Sequence, residues 1–186
     1  SLRAAAHWVL LPALGSLILL SATAEITRDI APVPFLWLLP LALYLLSFVV
    51  AFADVYLREI FAPLALLASV AALWALGVGA DALGFRAALF GGSLFFILLL
   101  CHGETYRSRD SSRPTLFYLC IAGGGAFGGL LANLAPFLFN DFWELPIALF
   151  VASIMALELV CMAFAASLPR FRRRVFLGAV FLSIVV

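Results

Sequence analysis

The sequence predicts an all-α fold, a polytopic bundle of about seven transmembrane helices forming one domain over residues 1–186. Two observations predict it: 66% of the residues are hydrophobic and only 11% are charged, and the mean hydropathy is +1.19. Soluble domains carry about 25% charged residues, so this chain has too few polar side chains to cover a water-facing surface. A soluble enzyme and a nucleic-acid-binding protein are therefore excluded.

The third observation is a series of apolar runs, most of them close to the roughly 20 residues that cross a bilayer as a helix. The runs cover residues 4–24, 35–53, 61–79, 82–101, 115–139 and 146–166. A seventh run opens at Val175 and reaches Val186 after twelve residues. Since twelve residues are too few for a crossing, the last helix is expected to be incomplete.

The eleven basic residues are all arginines, and they are divided unequally between the two sides of the predicted bundle. Nine fall at the N-terminus and in the second, fourth and sixth connections, whereas Arg28 and Arg86 fall on the other side. The positive-inside rule places the arginine-rich side in the cytoplasm. We therefore expect a cytoplasmic N-terminus in the inner (plasma) membrane of the cell, with the lipid bilayer and other membrane helices or subunits as partners.

The first apolar run has an alternative interpretation as a cleaved leader. Arg3 precedes the apolar stretch, and the small residues 22–24 resemble a cleavage site. The run is long for a leader, and Pro12 and Gly15 interrupt it. These features favour a transmembrane span.

The connection after the first span, residues 25–37, contains the first group of candidate polar residues. Glu25, Arg28 and Asp29 have the i, i+3, i+4 spacing that permits ion pairing on a helical turn. Pro32 and Pro34 oppose a continuous helix, so we expect a non-helical connection. It either dips into a cavity on the outer face or forms a solvated loop with a loose salt bridge.

A second group, His102 and Glu104, lies at the end of the fourth run. A histidine beside a carboxylate is a candidate proton-handling pair, because histidine titrates near neutral pH. The alternative is that Gly103 ends the helix and the arginines after it bind anionic lipid headgroups.

The fifth run contains two overlapping GxxxG pairs, Gly124 with Gly128 and Gly125 with Gly129. Small residues at this spacing let a second helix approach closely, so the run is predicted to pack tightly against another helix. Asn133, further along this run, is expected to form a hydrogen bond to a neighbouring helix.

Glu158 lies inside the sixth run. A carboxylate at the bilayer centre costs about 2.5 kcal/mol or more unless it is paired, protonated or in contact with water. It is either a functional residue or a neutral acid bonded across helices.

The sequence predicts no catalytic residue, metal site or cofactor. The three cysteines are isolated and are interpreted as small buried side chains.

Three segments together resemble a known family: residues 27–48 (TRDIAPVPFLWLLPLALYLLSF), residues 102–104 (HGE) and residues 114–146, which include the glycine-rich run. They look like the membrane domain of fused spermidine-synthase-like bacterial proteins. In that family a multi-helix domain, similar to the major facilitator superfamily, is joined to a soluble aminopropyltransferase-like domain. The resemblance implies that any such soluble domain lies beyond Val186, and it carries no catalytic residue onto this stretch.

Three functions remain open at this point. The first is a membrane module that anchors such a domain or passes a small polyamine-like solute. The carboxylates of Glu158 and of Glu25 and Asp29, in the first connection, would suit such a cation. The second is a non-catalytic accessory subunit of a larger electron-transfer or photosynthetic membrane complex. The third is an intramembrane enzyme using His102 and Glu104, although no nucleophile or metal set accompanies them.

Overall fold

The computed structural model describes residues 2–28, 34–78, 83–139 and 143–167, and every regular element in these ranges is an α-helix. The six helices are α1 (Leu2–Arg28), α2 (Pro34–Phe52), α3 (Arg58–Val78), α4 (Leu83–Arg107), α5 (Pro114–Phe139) and α6 (Glu144–Ser167). The predicted all-α class is confirmed.

Among the described residues, α1, α3, α4, α5 and α6 are long and apolar enough to cross a membrane. The corresponding apolar stretch of α2, Trp37–Phe52, is shorter. The six helices follow the first six predicted runs in order. The run that opens at Val175 lies outside the described residues, so a seventh, incomplete span stays a prediction.

Two helices are longer than predicted. α1 continues through Arg28 and α2 begins at Pro34, so the expectation of a non-helical connection over residues 25–37 is wrong at both ends. A proline at the first helical position costs no hydrogen bond, because the N–H there has no intrahelical acceptor. α4 continues past Gly103 to Arg107, so this glycine does not end the helix.

α1 and α4 are antiparallel. The indole N–H of Trp8, near the start of α1, donates to the carbonyl oxygen of Ser108, just after the end of α4, at 2.9 Å. Toward the other ends of the two helices, Ile18 and Ala22 belong to the same buried cluster as Phe90.

α5 runs parallel to α1. Trp8 packs edge-on against Phe117 at the start of α5, with ring centroids 5.4 Å apart. About two turns further along α5, Gly124 approaches Val9, and one turn after that Gly128 lies against the Ala13 backbone of α1.

α2 is parallel to α4, whereas α3 is antiparallel to it. Ser47 of α2 contacts His102 of α4, and five residues later Phe52 packs on Tyr106 with ring centroids 4.8 Å apart. Arg58 at the start of α3 contacts Glu104 near the end of α4. Consecutive helices therefore alternate in direction.

α6 completes the alternation. The Ser153 hydroxyl donates to the Ser69 hydroxyl of α3 at 2.9 Å. Leu149, near the start of α6, packs in the buried cluster with Ala22 at the end of α1. Glu158, further along α6, lines a cavity together with residues from the start of α1.

This alternation brings four parts of the chain to one end of the bundle: the start of α1, the α2–α3 and α4–α5 connections, and the end of α6. We call it the arginine-rich end, because it carries Arg58, Arg107, Arg109 and Arg113. The arginines of the sixth connection, at residues 170–174, lie outside the described residues. That the arginine-rich end faces the cytoplasm remains a prediction from the positive-inside rule.

α4 is the central helix, and it packs against α1, α2 and α3. Every residue from 97 to 102 is buried, which is why this stretch shows no polar face. α5 lies at the periphery, and its large apolar side chains such as Phe137 and Leu138 are exposed. In a bilayer such exposed apolar side chains face lipid, where they need no protein partner.

Candidate functional site: a charged cavity at the arginine-rich end

A cavity of about 470 Å³ lies between α1, α3, α4 and α6 at the arginine-rich end. We call it the charged cavity. Its polar lining residues are His7, Arg58, Glu104, Arg107, Ser108 and Glu158, and its apolar lining residues are Leu10, Leu11, Met155, Leu159 and Met162. The volume is in the range of small-molecule sites in proteins.

The best-defined polar contact in the charged cavity is an ion pair between Arg58 and Glu104. The Arg58 Nε donates to Glu104 Oε1 at 2.8 Å, and Nη2 donates to Oε2, which makes the pair bidentate. The Tyr56 hydroxyl donates a third hydrogen bond to Oε1 at 3.0 Å. Glu104 is thus neutralised and held by three donors. Bidentate geometry of this kind is among the strongest polar contacts in proteins.

The turn before α3 places Tyr56 on this carboxylate. Asp54, just after α2, has φ of 61°, a left-handed conformation that Asp adopts more readily than most residues. The chain then reverses, and the Tyr56 ring becomes buried against α4. Burial, reinforced by the charge and hydrogen bond of Glu104, raises the pKa of the Tyr56 phenol. The phenol therefore stays protonated as a donor.

Gly103 leaves the space on α4 against which the Tyr56 ring packs. A Cβ at this position would overlap the ring atoms. The glycine of the HGE motif thus allows the tyrosine to lie flat on α4, one residue away from the carboxylate that it binds.

We expect Gly103→Ala to lower the stability of the protein by about 2 kcal/mol, because the added methyl group displaces a packed ring. The thermal midpoint of the purified protein in detergent measures this loss. Gly92→Ala is the matched control on α4, since nothing lies within 4 Å of its Cβ. In a Tyr56→Ala background Gly103→Ala should cost little. An equal loss of stability in both backgrounds would contradict the packing of the Tyr56 ring on Gly103.

His102 does not pair with Glu104. The two residues are two positions apart on α4 and therefore point in different directions. His102 is buried, its Nδ1 lies 3.0 Å from the Ser47 hydroxyl, and its ring packs between Tyr44 and Phe48. Its Nε2 has no hydrogen-bond partner among the described residues. The hypothesis of a His102–Glu104 acid–base pair is therefore not supported by the geometry.

Glu158 lies on the cavity wall formed by α6 and is exposed. Within the described part of the chain its carboxylate makes no hydrogen bond and no ion pair. The topology thus brings Glu104 and Glu158, which are 54 positions apart in the chain, to one cavity. Arg58 balances the charge of Glu104, whereas no described residue balances that of Glu158.

The remaining predicted polar residues lie elsewhere. Asn133 is exposed, and its Nδ2 donates to the Gly129 carbonyl oxygen of its own helix at 2.8 Å, not to a neighbouring helix as expected. Glu25 lies in the last turn of α1, at the end opposite the charged cavity. Arg28 ends α1 without a described side chain, and Asp29 lies outside the described residues.

The glycine pairs of α5 face α1. A Cβ at Gly124 or at Gly128 would overlap a backbone carbonyl oxygen of α1, that of Val9 or that of Ala13. Cβ atoms at Gly125 and Gly129 would meet only side-chain atoms of α1, at 3.3 and 3.6 Å. The first pair therefore carries the close backbone approach, and the second pair flanks it.

Sequence reasoning missed Arg58, Tyr56 and Arg107 as cavity residues. One signal was available, since the predicted topology put the second and fourth connections on the same side. It thus brought Arg58 near Glu104, without indicating that they pair. No group of three or more potential metal-binding side chains occurs within the described ranges.

Comparison with known proteins finds no matching family model, curated protein or solved structure. The resemblance to the membrane domain of fused spermidine-synthase-like proteins therefore stays a prediction from the residues.

Proposed function

We propose that this chain is a solute-binding membrane module whose charged cavity takes an organic amine, of which polyamines are one class. The observation that carries the proposal is the state of the two cavity carboxylates. Glu104 is already held by Arg58 and Tyr56, whereas Glu158 has no partner among the described residues. An ammonium group is the natural partner for an unpaired carboxylate next to apolar walls.

The apolar lining supports an organic cation over a bare metal ion. Leucine and methionine side chains of α1 and α6 line the cavity alongside Glu158. Methylene groups of an amine can be buried against them, which gains about 0.8 kcal/mol per CH₂. A metal ion would instead need several oxygen or nitrogen ligands together.

The test is binding of spermidine to the purified protein in phosphatidylcholine nanodiscs. We expect saturable binding by the parent protein and at least about tenfold weaker binding by Glu158→Gln, the loss expected for one charged hydrogen bond. Glu59→Gln is the matched control, because Glu59 is an exposed glutamate near the same end that does not line the cavity. It should bind as the parent does.

Two results would overturn the proposal: no saturable binding by the parent protein, or equal affinity of the parent and Glu158→Gln. The first would leave the membrane-anchor role that the family resemblance implies. Flux of spermidine into vesicles, measured on the same variants, separates binding from passage across the membrane.

The second candidate function is the accessory subunit, for which the glycine face of α5 and the abundant phenylalanines would be packing surfaces. Gly124 and Gly128 pack against α1 of this same chain, which leaves exposed phenylalanines such as Phe127 and Phe137 for other subunits. A chain that copurifies with a large membrane complex in mild detergent would favour this alternative.

A further inference from the structure

Two opposite charges in the charged cavity have no ion-pair partner among the residues that the structure describes. Arg107, the last residue of α4, lines the cavity and is exposed. Glu158 lines it from α6. Neither forms an ion pair within the described ranges, where the recorded pair is Arg58–Glu104. Counting only the described residues, the cavity therefore presents one unpaired cation and one unpaired anion.

These two groups have different ligand preferences. The guanidinium of Arg107 is a planar donor that binds carboxylate and phosphate groups, often with two hydrogen bonds. The carboxylate of Glu158 accepts hydrogen bonds from an ammonium group. A ligand that carries both an ammonium and an anionic group would satisfy both side chains, whereas a simple amine satisfies only Glu158.

Charge balance favours the same class of ligand. The lining contains two arginines and two glutamates, so the cavity has no net charge when His7 is neutral. A polycation would bring two or three positive charges close to Arg58 and Arg107. Like charges near one another in a partly desolvated site are repulsive, so a polycation should still bind through Glu158, but more weakly than a net-neutral ligand.

We infer that the charged cavity binds a zwitterion with a primary ammonium group, an anionic group and an apolar body. This rests on the proposed function for the ammonium at Glu158 and adds Arg107 as the residue that binds the anionic group. The apolar body contacts Leu10, Leu11 and Met155. The ligand chemistry is shared by a free apolar amino acid and by a phosphatidylethanolamine headgroup.

The experiment compares three probes of similar shape on the full chain in phosphatidylcholine nanodiscs. Leucine carries both charged groups, 3-methylbutylamine lacks the carboxylate, and 4-methylpentanoate lacks the amine. We expect leucine to bind at least about tenfold more tightly than either of the others, as one charged hydrogen bond contributes. Arg107→Gln should weaken leucine and leave 3-methylbutylamine unchanged.

Arg113→Gln is the control, since Arg113 is exposed at the same end and does not line the cavity. It should bind all three probes as the parent does. An unchanged thermal midpoint for Arg107→Gln shows that a binding loss is not a folding defect.

The outcomes separate this inference from the function on which it rests. Equal affinity for leucine and 3-methylbutylamine, both lost in Glu158→Gln, would overturn the zwitterion and keep the amine site. No binding of any amine would overturn both. If leucine binds, phosphatidylethanolamine is then added to the nanodiscs. Displacement of leucine by phosphatidylethanolamine assigns the site to the lipid, and no displacement assigns it to the free amino acid.

Discussion

Replacing Gly128 with leucine should prevent α5 from packing closely on α1 and strongly destabilise the folded protein. A Cβ at this position would overlap the Ala13 carbonyl oxygen and lie only 2.8 Å from the Ala13 Cα. The obstacle is backbone, which cannot rotate away as a side chain can. We therefore expect a loss at or above the upper end of the usual 1–3 kcal/mol for overpacking, about 3 kcal/mol or more.

The yield and thermal midpoint of the detergent-purified protein measure this effect. Gly128→Ala should show a smaller loss of the same sign. Gly123→Leu is the control on the same helix, because nothing lies within 4 Å of its Cβ. Leucine has the better helix propensity, so the control should be neutral or slightly stabilising. If Gly128→Leu and Gly123→Leu had the same midpoint, the close packing of α1 and α5 would be wrong.

The second large effect is expected at the Arg58–Glu104 ion pair. Removing one member of a buried pair leaves the other charge unpaired and costs about 3–5 kcal/mol. The Arg58 side chain is 25% exposed and that of Glu104 is 10% exposed, so water partly compensates. We expect Arg58→Gln to lose roughly 2–3 kcal/mol of stability, a value reduced for this exposure.

A double-mutant cycle distinguishes the pair from two independent residues. Arg58→Gln and Glu104→Gln should each lower the thermal midpoint, and the double variant should lose clearly less than the two losses added together. Glutamine at position 104 still accepts the Tyr56 hydroxyl, so the double variant keeps that hydrogen bond. Strictly additive losses would show that the ion pair does not stabilise the fold. Arg113→Gln, an exposed arginine nearby, should change nothing.

The HGE motif illustrates what the sequence could and could not indicate. Its three residues stand out at the end of an apolar run, and the sequence indicates either an acid–base pair of His102 and Glu104 or a helix end at Gly103. In the structure each has a separate partner: His102 contacts Ser47, Gly103 packs against the Tyr56 ring, and Glu104 forms an ion pair with Arg58. Helical geometry separates neighbouring side chains, and their partners come from other helices.

The glycine-rich run was more predictable. GxxxG spacing places small residues on one face of a helix. Close packing of that face against another helix can therefore be inferred from the spacing alone, without knowing which helix it is. The sequence could not identify α1 as the partner, nor show that Gly124 and Gly128 take the backbone contact while Gly125 and Gly129 flank it. Those distinctions depend on the angle at which the two helices cross.

The sequence by itself determined the properties that depend on composition and on distances within one helix. These are the all-α class, the position and order of six apolar helices, and the concentration of arginines in alternate connections. The tertiary structure decided which charges are neutralised. Arg58 meets Glu104 across 46 positions, while Arg107 and Glu158 face one cavity without ion-pair partners in the described part of the chain. The physical reason is that ion pairing requires contact between side chains, and contact between distant residues is set by how whole helices pack.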